Sequence, residues 1–346
     1  MNVLNENQHF VSRVLLERFK IPGSPLRCYQ VKTGKWMPKS PESACSASGY
    51  NQLLQDGQLK SENTLEADFS AIESRLPKTF VALEKAAEVP RTELPADIYK
   101  DICKYCAFLK LMAPYAKPGA VVSFVFQLNM ELEKGGNFLL RELKIPEEVI
   151  TFWRQQRRLG HRIIVDAENL LQSLYWRQHQ RNRELDADFL LNAHWTIFRS
   201  PIELPISDVG LVPIGYADLG LTVYLLPIGR NLLLKGLLYF DLSKNSTEPI
   251  VKSLTLSLEE AEYVFDCICS SAIVEIVSSK INPDIPTAID RAKTKGIRFH
   301  KIPNLEKIMS AGMKNVTEEI IFQVVSVEAY KAFMHSYMQP AEILST

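Results

Sequence analysis

The chain has 346 residues, 46% of them apolar and 23% charged. This is the composition of an ordinary globular protein, with room for two domains or one large mixed one, and it excludes wholesale disorder and collagen-like repeats. Lys plus Arg is 40 and Asp plus Glu is 40, so no global field draws the chain to nucleic acid or an anionic membrane, and any such binding must come from a local patch.

Met1 to Gln8 has no basic stretch followed by an apolar one, so no signal peptide is expected. The longest apolar runs are about ten residues, well short of the roughly 20 that a bilayer span needs. Six cysteines are too few for a disulfide framework, and all are expected to be reduced. The expected address is the cytoplasm, with no membrane contact.

Val11 to Phe19 places Val11, Val14, Leu15 and Phe19 on one face of a short helix, which Pro22, Gly23 and Pro25 end. Leu26 to Val31 alternates, and Thr33-Gly34-Lys35 reads as a turn into Trp36-Met37, so a two-stranded ribbon is predicted. Leu65, Phe69, Ile72, Leu76, Phe80 and Leu83 recur at helical spacing over 65–87, with Pro77 expected to kink or split the helix. Ala96 to Met112 is a second helix. Further helices are expected over 119–133, from Pro146 onward, over 165–176 and over 186–193.

At His194 the pattern changes. Trp195–Phe198, Leu204–Ile206, Leu211–Ile214, Thr222–Leu226 and Leu232–Leu234 are short apolar runs punctuated by Pro and Gly, the pattern of a sheet. Ser257 and Glu260 form a capping box that opens a helix through Ser271, and Ile297 to Ile302 is a later strand. The predicted class is α+β: an N-terminal β-ribbon with helices (1–90), a helical middle (91–193) and a sheet-rich C-terminal third (194–346), packed into one core as a single mixed domain over 1–346.

No Gly-x-Gly-x-x-Gly, P-loop, His-Glu-x-x-His or Gly-x-Ser-x-Gly motif is present, which removes the corresponding nucleotide, zinc and hydrolase templates and leaves no nucleotide-cofactor motif. Cys103-x-x-Cys106 and Cys267-x-Cys269 contain enough thiolates for one zinc, but both pairs fall inside amphipathic helices, so core cysteines are the expectation.

The segment from Arg154 to Arg183 is more distinctive. It holds seven arginines (Arg154, Arg157, Arg158, Arg162, Arg177, Arg181 and Arg183) against Asp166 and Glu168, a local charge of +5. Trp153, Tyr175 and Trp176 lie among them. Guanidinium groups with aromatics suit a surface that tracks phosphates and stacks bases, although a solvated helical face would read the same way.

Elsewhere, His9 precedes the first helix, where the dipole favours neutral imidazole, fit for a base, a metal ligand or a structural role. Glu66 and Glu73 share a helix face two turns apart, a spacing open to a divalent cation or to solvent. Asp208 sits beside Ser207 at a strand end, placed for a site or for capping a turn.

Asn7-Gln8-His9-Phe10-Val11-Ser12-Arg13-Val14-Leu15-Leu16-Glu17-Arg18-Phe19 resembles the opening of a widespread bacterial family catalogued as domain of unknown function 4238. Its members begin His-Tyr/Phe-Val/Ile-Pro and continue to a Tyr-Leu-Arg/Lys-x-Phe segment. Arg27 to Lys35 resembles the family's ribbon, Glu66 to Glu73 its Glu-rich helix, Trp195 to Gly210 its strand with Ser-Asp-x-Pro, and Leu226 to Gly229 a following Pro-Leu-Ser/Gly segment. Ser12 and Gly210 stand where the family usually has Pro.

The resemblance implies that His9, Arg13, Glu66, Glu73 and Asp208 belong to one site. By analogy with accessory genes of bacteria and mobile elements, it also suggests a role in defence or genetic conflict. The expectation is a metal-dependent phosphodiesterase or nuclease. His9 would be base or ligand, Arg13 would steady phosphate, and Glu66, Glu73 and Asp208 would hold Mg²⁺ or Mn²⁺. The alternative is a non-catalytic module that binds nucleic acid, a nucleotide or a protein through the arginine-rich helices.

Overall fold

The computed structural model describes residues 7–48, 54–55, 58–59, 64–113, 131, 135–136, 147, 150–151, 154–155, 186–216, 219–239, 241–245 and 248–294. The helices expected over 119–133 and 165–176 and the strand at 297–302 fall almost wholly or wholly outside these residues.

Strand β1 (Asn7–His9) leads into α1 (Arg13–Glu17). The helix is shorter than its apolar spacing predicts because Ser12 caps it, its hydroxyl accepting Leu15 N–H at 3.2 Å. The ribbon is β2 (Leu26–Gln30) and β3 (Lys35–Lys39), paired antiparallel with Tyr29 opposite Trp36. The short strand β4 (Ser46–Ser48) pairs with β1, and β5 (Leu54–Gln55) pairs with β6 (Gln58–Leu59).

The predicted 65–87 helix is two helices, α2 (Thr64–Glu73) and α3 (Leu76–Ala86). Pro77 lies in the first turn of α3, where its missing N–H has no intrahelical partner to lose. Helix α4 (Ala96–Met112) matches the predicted span. Its apolar face packs on α2 and α3, with Phe108 stacked on Phe69 at 4.2 Å between ring centroids. Residues 186–191 form another helical stretch.

A six-stranded sheet follows. Its order is β10 (Val212–Tyr216), β11 (Leu221–Gly229), β12 (Leu232–Tyr239), β8 (His194–Arg199), β13 (Ile250–Thr255) and β7 (Arg91–Glu93). All pairings in it are antiparallel except β13 with β8. The N-terminal ribbon belongs to a second sheet of order β3-β2-β14-β9, in which β14 is Glu275–Ser278 and β9 is Ile206–Ser207. The C-terminal helices are α5 (Leu258–Ser271) and α6 (Asp284–Thr294). The Ser257–Glu260 capping box forms as predicted, with both reciprocal hydrogen bonds present.

The inner strands β11, β12 and β14 feed a core on each face. Along β11, Tyr224, Leu226 and Ile228 enter one core with Leu15, Phe80 and Phe108, while Val223 and Leu225 enter another with Phe265, Ile268 and Ile285. On β14, Val277 points into the first core and Ile276 into the second. A strand covered on both sides reads as a continuous apolar run, which is the texture of Leu225 to Ile228. The indole of Trp195 lies over Gly236, its partner in the β8–β12 register; a Cβ there would come within 2.7 Å of the ring. All six cysteines are free and buried, Cys103 and Cys106 among the side chains of α4. Among the described residues no helix is long and apolar enough to cross a membrane.

Candidate functional site

His9, Phe10 and Arg13, around the start of α1, meet one turn. His9 is half-buried, and its Nε2 lies 3.1 Å from the carbonyl oxygen of Pro41. The next residue, Phe10, donates its amide to Cys45 O at 2.7 Å. Arg13 is exposed and reaches the same turn, its Nη1 3.8 Å from Glu42 Oε1. An exposed pair at that distance contributes little to stability. One turn, residues 40–45, thus receives three residues of the N-terminal motif.

That turn is fastened from the other end of the chain. Glu275 opens β14 and is 2% exposed. Its carboxylate accepts the Cys45 amide, the Lys39 ammonium and, at 2.7 Å, the Gln30 side-chain amide. Cys45 itself has φ +48, a left-handed conformation uncommon for a residue with a side chain. The Glu275 carboxylate on its N–H and the Phe10 amide on its carbonyl hold it there.

Asp208 lies beside Glu275, where β9 leaves β14, and its own N–H donates to Glu275 O at 3.1 Å. Its side chain is wholly buried. Oδ1 accepts Ile273 N–H at 3.0 Å and Oδ2 accepts Val274 N–H at 2.7 Å, so both oxygens cap the chain between α5 and β14. Burial is the largest influence on this carboxyl and pushes it up to about 7, with the Glu275 charge adding to the rise and the backbone amides of Ile273, Val274 and Glu275 opposing it. Ser207 donates to, or accepts from, Ser271 across 2.9 Å.

On the other side of α1, Ser12 Oγ and Tyr105 Oη are 2.8 Å apart and buried. Burial holds the Tyr105 phenol above its ordinary range, and the nearby Glu73 carboxylate adds to this. Glu73 ends α2 and is half-buried. Glu66 lies on α2, and its side chain is outside the described residues.

His9 and Arg13 therefore reach the 40–45 turn, Glu73 lies near Tyr105, and Asp208 is tied to the chain around Glu275, each through separate contacts. Among the described residues no group of three or more His, Cys, Asp or Glu side chains is arranged to hold a metal ion. Of the seven arginines of the segment, Arg154 alone falls within the described residues, where its Nη2 donates to Gly136 O at 2.9 Å; Arg157, Arg158, Arg162, Arg177, Arg181 and Arg183 lie outside them.

Sequence reasoning did not single out Glu275, Lys39, Gln30, Cys45 or Tyr105. One signal was available. Glu275 sits inside the apolar run Ile273-Val274-Glu275-Ile276-Val277, and an acid on a buried strand requires a partner. Nothing in the sequence names Lys39 as that partner, more than two hundred residues away.

The family model described as "Protein of unknown function (DUF4238)" matches residues 7–236. No curated protein and no solved structure matches the chain significantly.

Proposed function

The chain belongs to the DUF4238 family, whose description names no reaction, and we propose that this protein is a non-catalytic nucleic-acid-binding module that uses the arginine-rich segment 154–183 as its contact surface. The observation that carries this reading is how the motif side chains are spent. Both Asp208 oxygens accept backbone amides, and His9 Nε2 is held by Pro41 O. These groups build the fold: the Asp208 side chain is wholly buried and tied through both oxygens to backbone amides.

The phosphate chemistry then falls to the segment with +5 charge, against −5 for the remainder of the neutral chain. Arg157, Arg158, Arg162, Arg177 and Arg181 would contact phosphates, and Trp153, Tyr175 and Trp176 would stack on bases. Stacking favours single strands, because a duplex hides its base faces.

The test is anisotropy of labelled single-stranded and duplex DNA and RNA with the full chain at stepped salt concentrations. Binding should prefer single strands and weaken steeply with salt. Replacing Arg157, Arg158, Arg162, Arg177 and Arg181 together by Gln should weaken it at least about tenfold with an unchanged melting temperature. No binding at low salt, or a variant that binds like the parent, overturns the proposal. The same probes incubated with Mg²⁺ or Mn²⁺ test the rival enzyme. Cleavage that His9→Ala and Asp208→Ala abolish without lowering the melting temperature would establish a metal-dependent phosphodiesterase instead.

A further inference from the structure

Residues 18–41 hold six cations, Arg18, Lys20, Arg27, Lys32, Lys35 and Lys39, and no acid. The β2–β3 ribbon lies within this stretch. Three of the cations are committed, Arg18 to Glu84, Lys20 to Glu17 at 3.9 Å and Lys39 to Glu275. Arg27 is half-buried, Lys32 and Lys35 are exposed, and none of these three makes an ion pair among the described residues. Arg27 stands in β2, and Lys32 and Lys35 flank the turn, about 17 Å further along at roughly 3.3 Å per residue. Gly34, at φ +67 and with its N–H donating to Gln30 O at 2.8 Å, closes that turn.

The ribbon is poorly built to take another strand. β3 is the outer strand of its sheet. Val31 donates its amide to Val274 O, and successive residues of a strand turn their amides to opposite sides. Leu26, Cys28 and Gln30 therefore bond to Lys39, Met37 and Lys35, their partners in the register. Trp36 and Pro38 are left facing outward, and Pro38 has no N–H to donate. Antiparallel pairing with a second copy about Met37 would set Lys35 against the other copy's Lys39, which like charges oppose. Lys and Pro on an edge strand protect it from such pairing. That role accounts for β3, but not for Arg27 on the inner strand or Lys32 in the turn.

We propose that the β2–β3 ribbon is a second nucleic-acid contact, in which Arg27, Lys32 and Lys35 bind backbone phosphates. This rests on the reading of the chain as a nucleic-acid binder, but it uses no residue of 154–183. Charge complementarity selects the occupant. A nucleic-acid backbone is a line of single negative charges, one every ~3.4 Å along each strand of a duplex, so the ribbon spans several of them. An acidic peptide would have to be held by edge amides that the ribbon lacks. Trp36 is half-buried, with its ring 5.4 Å from that of Tyr29 and its face toward the second core. The ribbon therefore supplies charge and not a stacking platform, and it holds single strands and duplexes alike.

The test is anisotropy of a labelled oligothymidylate and a labelled DNA duplex with the full chain at stepped salt. The parent is compared with a ribbon variant, in which Arg27→Gln, Lys32→Gln and Lys35→Gln are combined, and with the five-arginine variant of 154–183. The ribbon variant should bind both probes at least about tenfold more weakly, with an unchanged melting temperature, and the slope of log affinity against log salt on the single strand should fall by about 2. Should that variant not fold, Lys32→Gln with Lys35→Gln alone, both on exposed side chains, should lower the slope by about 1.4. A ribbon variant that binds like the parent overturns the second contact and leaves the arginine segment standing. Weakening in the ribbon variant with none in the five-arginine variant keeps the ribbon and overturns the arginine segment. No binding by the parent overturns both. Polyglutamate that displaces the probe from the five-arginine variant as well as unlabelled DNA of equal charge would assign the ribbon to an acidic protein and overturn its role in nucleic-acid binding.

Discussion

Gly210 and Ser12 occupy positions where the resemblance leads to an expectation of proline, and the structure gives each a different physical reason. Ser12 has φ −58 and ψ 142, a backbone that proline can adopt. What proline would remove is the hydroxyl, which caps α1 and meets Tyr105 Oη. Gly210 is the opposite case. Its φ is +68, its N–H donates to Ser207 O at 2.9 Å, and a Cβ would lie 3.0 Å from Leu109 and 3.3 Å from Val11. Proline cannot reach positive φ and has no N–H to donate. Gly210→Pro should therefore destabilise the protein by more than about 3 kcal/mol. Gly210→Ala should cost about 1–3 kcal/mol, from backbone strain and the tight contacts. Thermal melts check both; a Gly210→Pro protein as stable as the parent would mean that the Ser207–Gly210 turn is not built as described.

At the scale of elements, what was legible depended on whether the determining contacts are local. α4 and the α5 start were readable because a helix face and a capping box are written within a few consecutive residues. The β2–β3 ribbon was readable for the same reason, from alternation around a glycine turn. Strands β7, β13 and β14 were not. They are short, two of them lie at or beside a sheet edge, and their partners are far away in sequence.

The site divides in the same way. His9 and Asp208 stood out as motif residues, but their contacts run to Pro41 and to Ile273, Val274 and Glu275, which no spacing rule connects to them. The local signal carries an energy that can be measured. Ser257 Oγ accepts Glu260 N–H at 3.2 Å and Glu260 Oε2 accepts Ser257 N–H at 2.8 Å. Ser257→Ala removes the first bond, leaves an exposed N-terminus partly solvated, and should lower stability by about 0.5–2 kcal/mol. A urea melt with no shift in midpoint would mean that water replaces the cap without loss.

The whole molecule is bound together by strands that feed two cores at once. Val277 and Ile276 are neighbours on β14, yet one packs with α1 and α4 residues and the other with α5 and α6. β11 and β12 do the same, through Leu226 against Leu225 and Leu234 against Leu233. Neither core can lose its order without exposing the opposite face of the same strands, so the two should unfold together. Two tryptophans report on them separately. Trp195 is 3% exposed in the first core and donates its indole N–H to Leu190 O at 3.1 Å. Trp36 packs against the second core, its ring 5.4 Å from that of Tyr29. Variants that keep only Trp36 or only Trp195, with the other tryptophans replaced by Phe, should give urea transitions with the same midpoint once each variant's own stability change is allowed for from circular dichroism. Unfolding of the ribbon before the large sheet would separate the two fluorescence midpoints while circular dichroism showed two steps. That result would mean that the shared strands do not couple the cores, and the Glu275 contacts to Gln30 and Lys39, which join the ribbon to β14, would then be the first to fail.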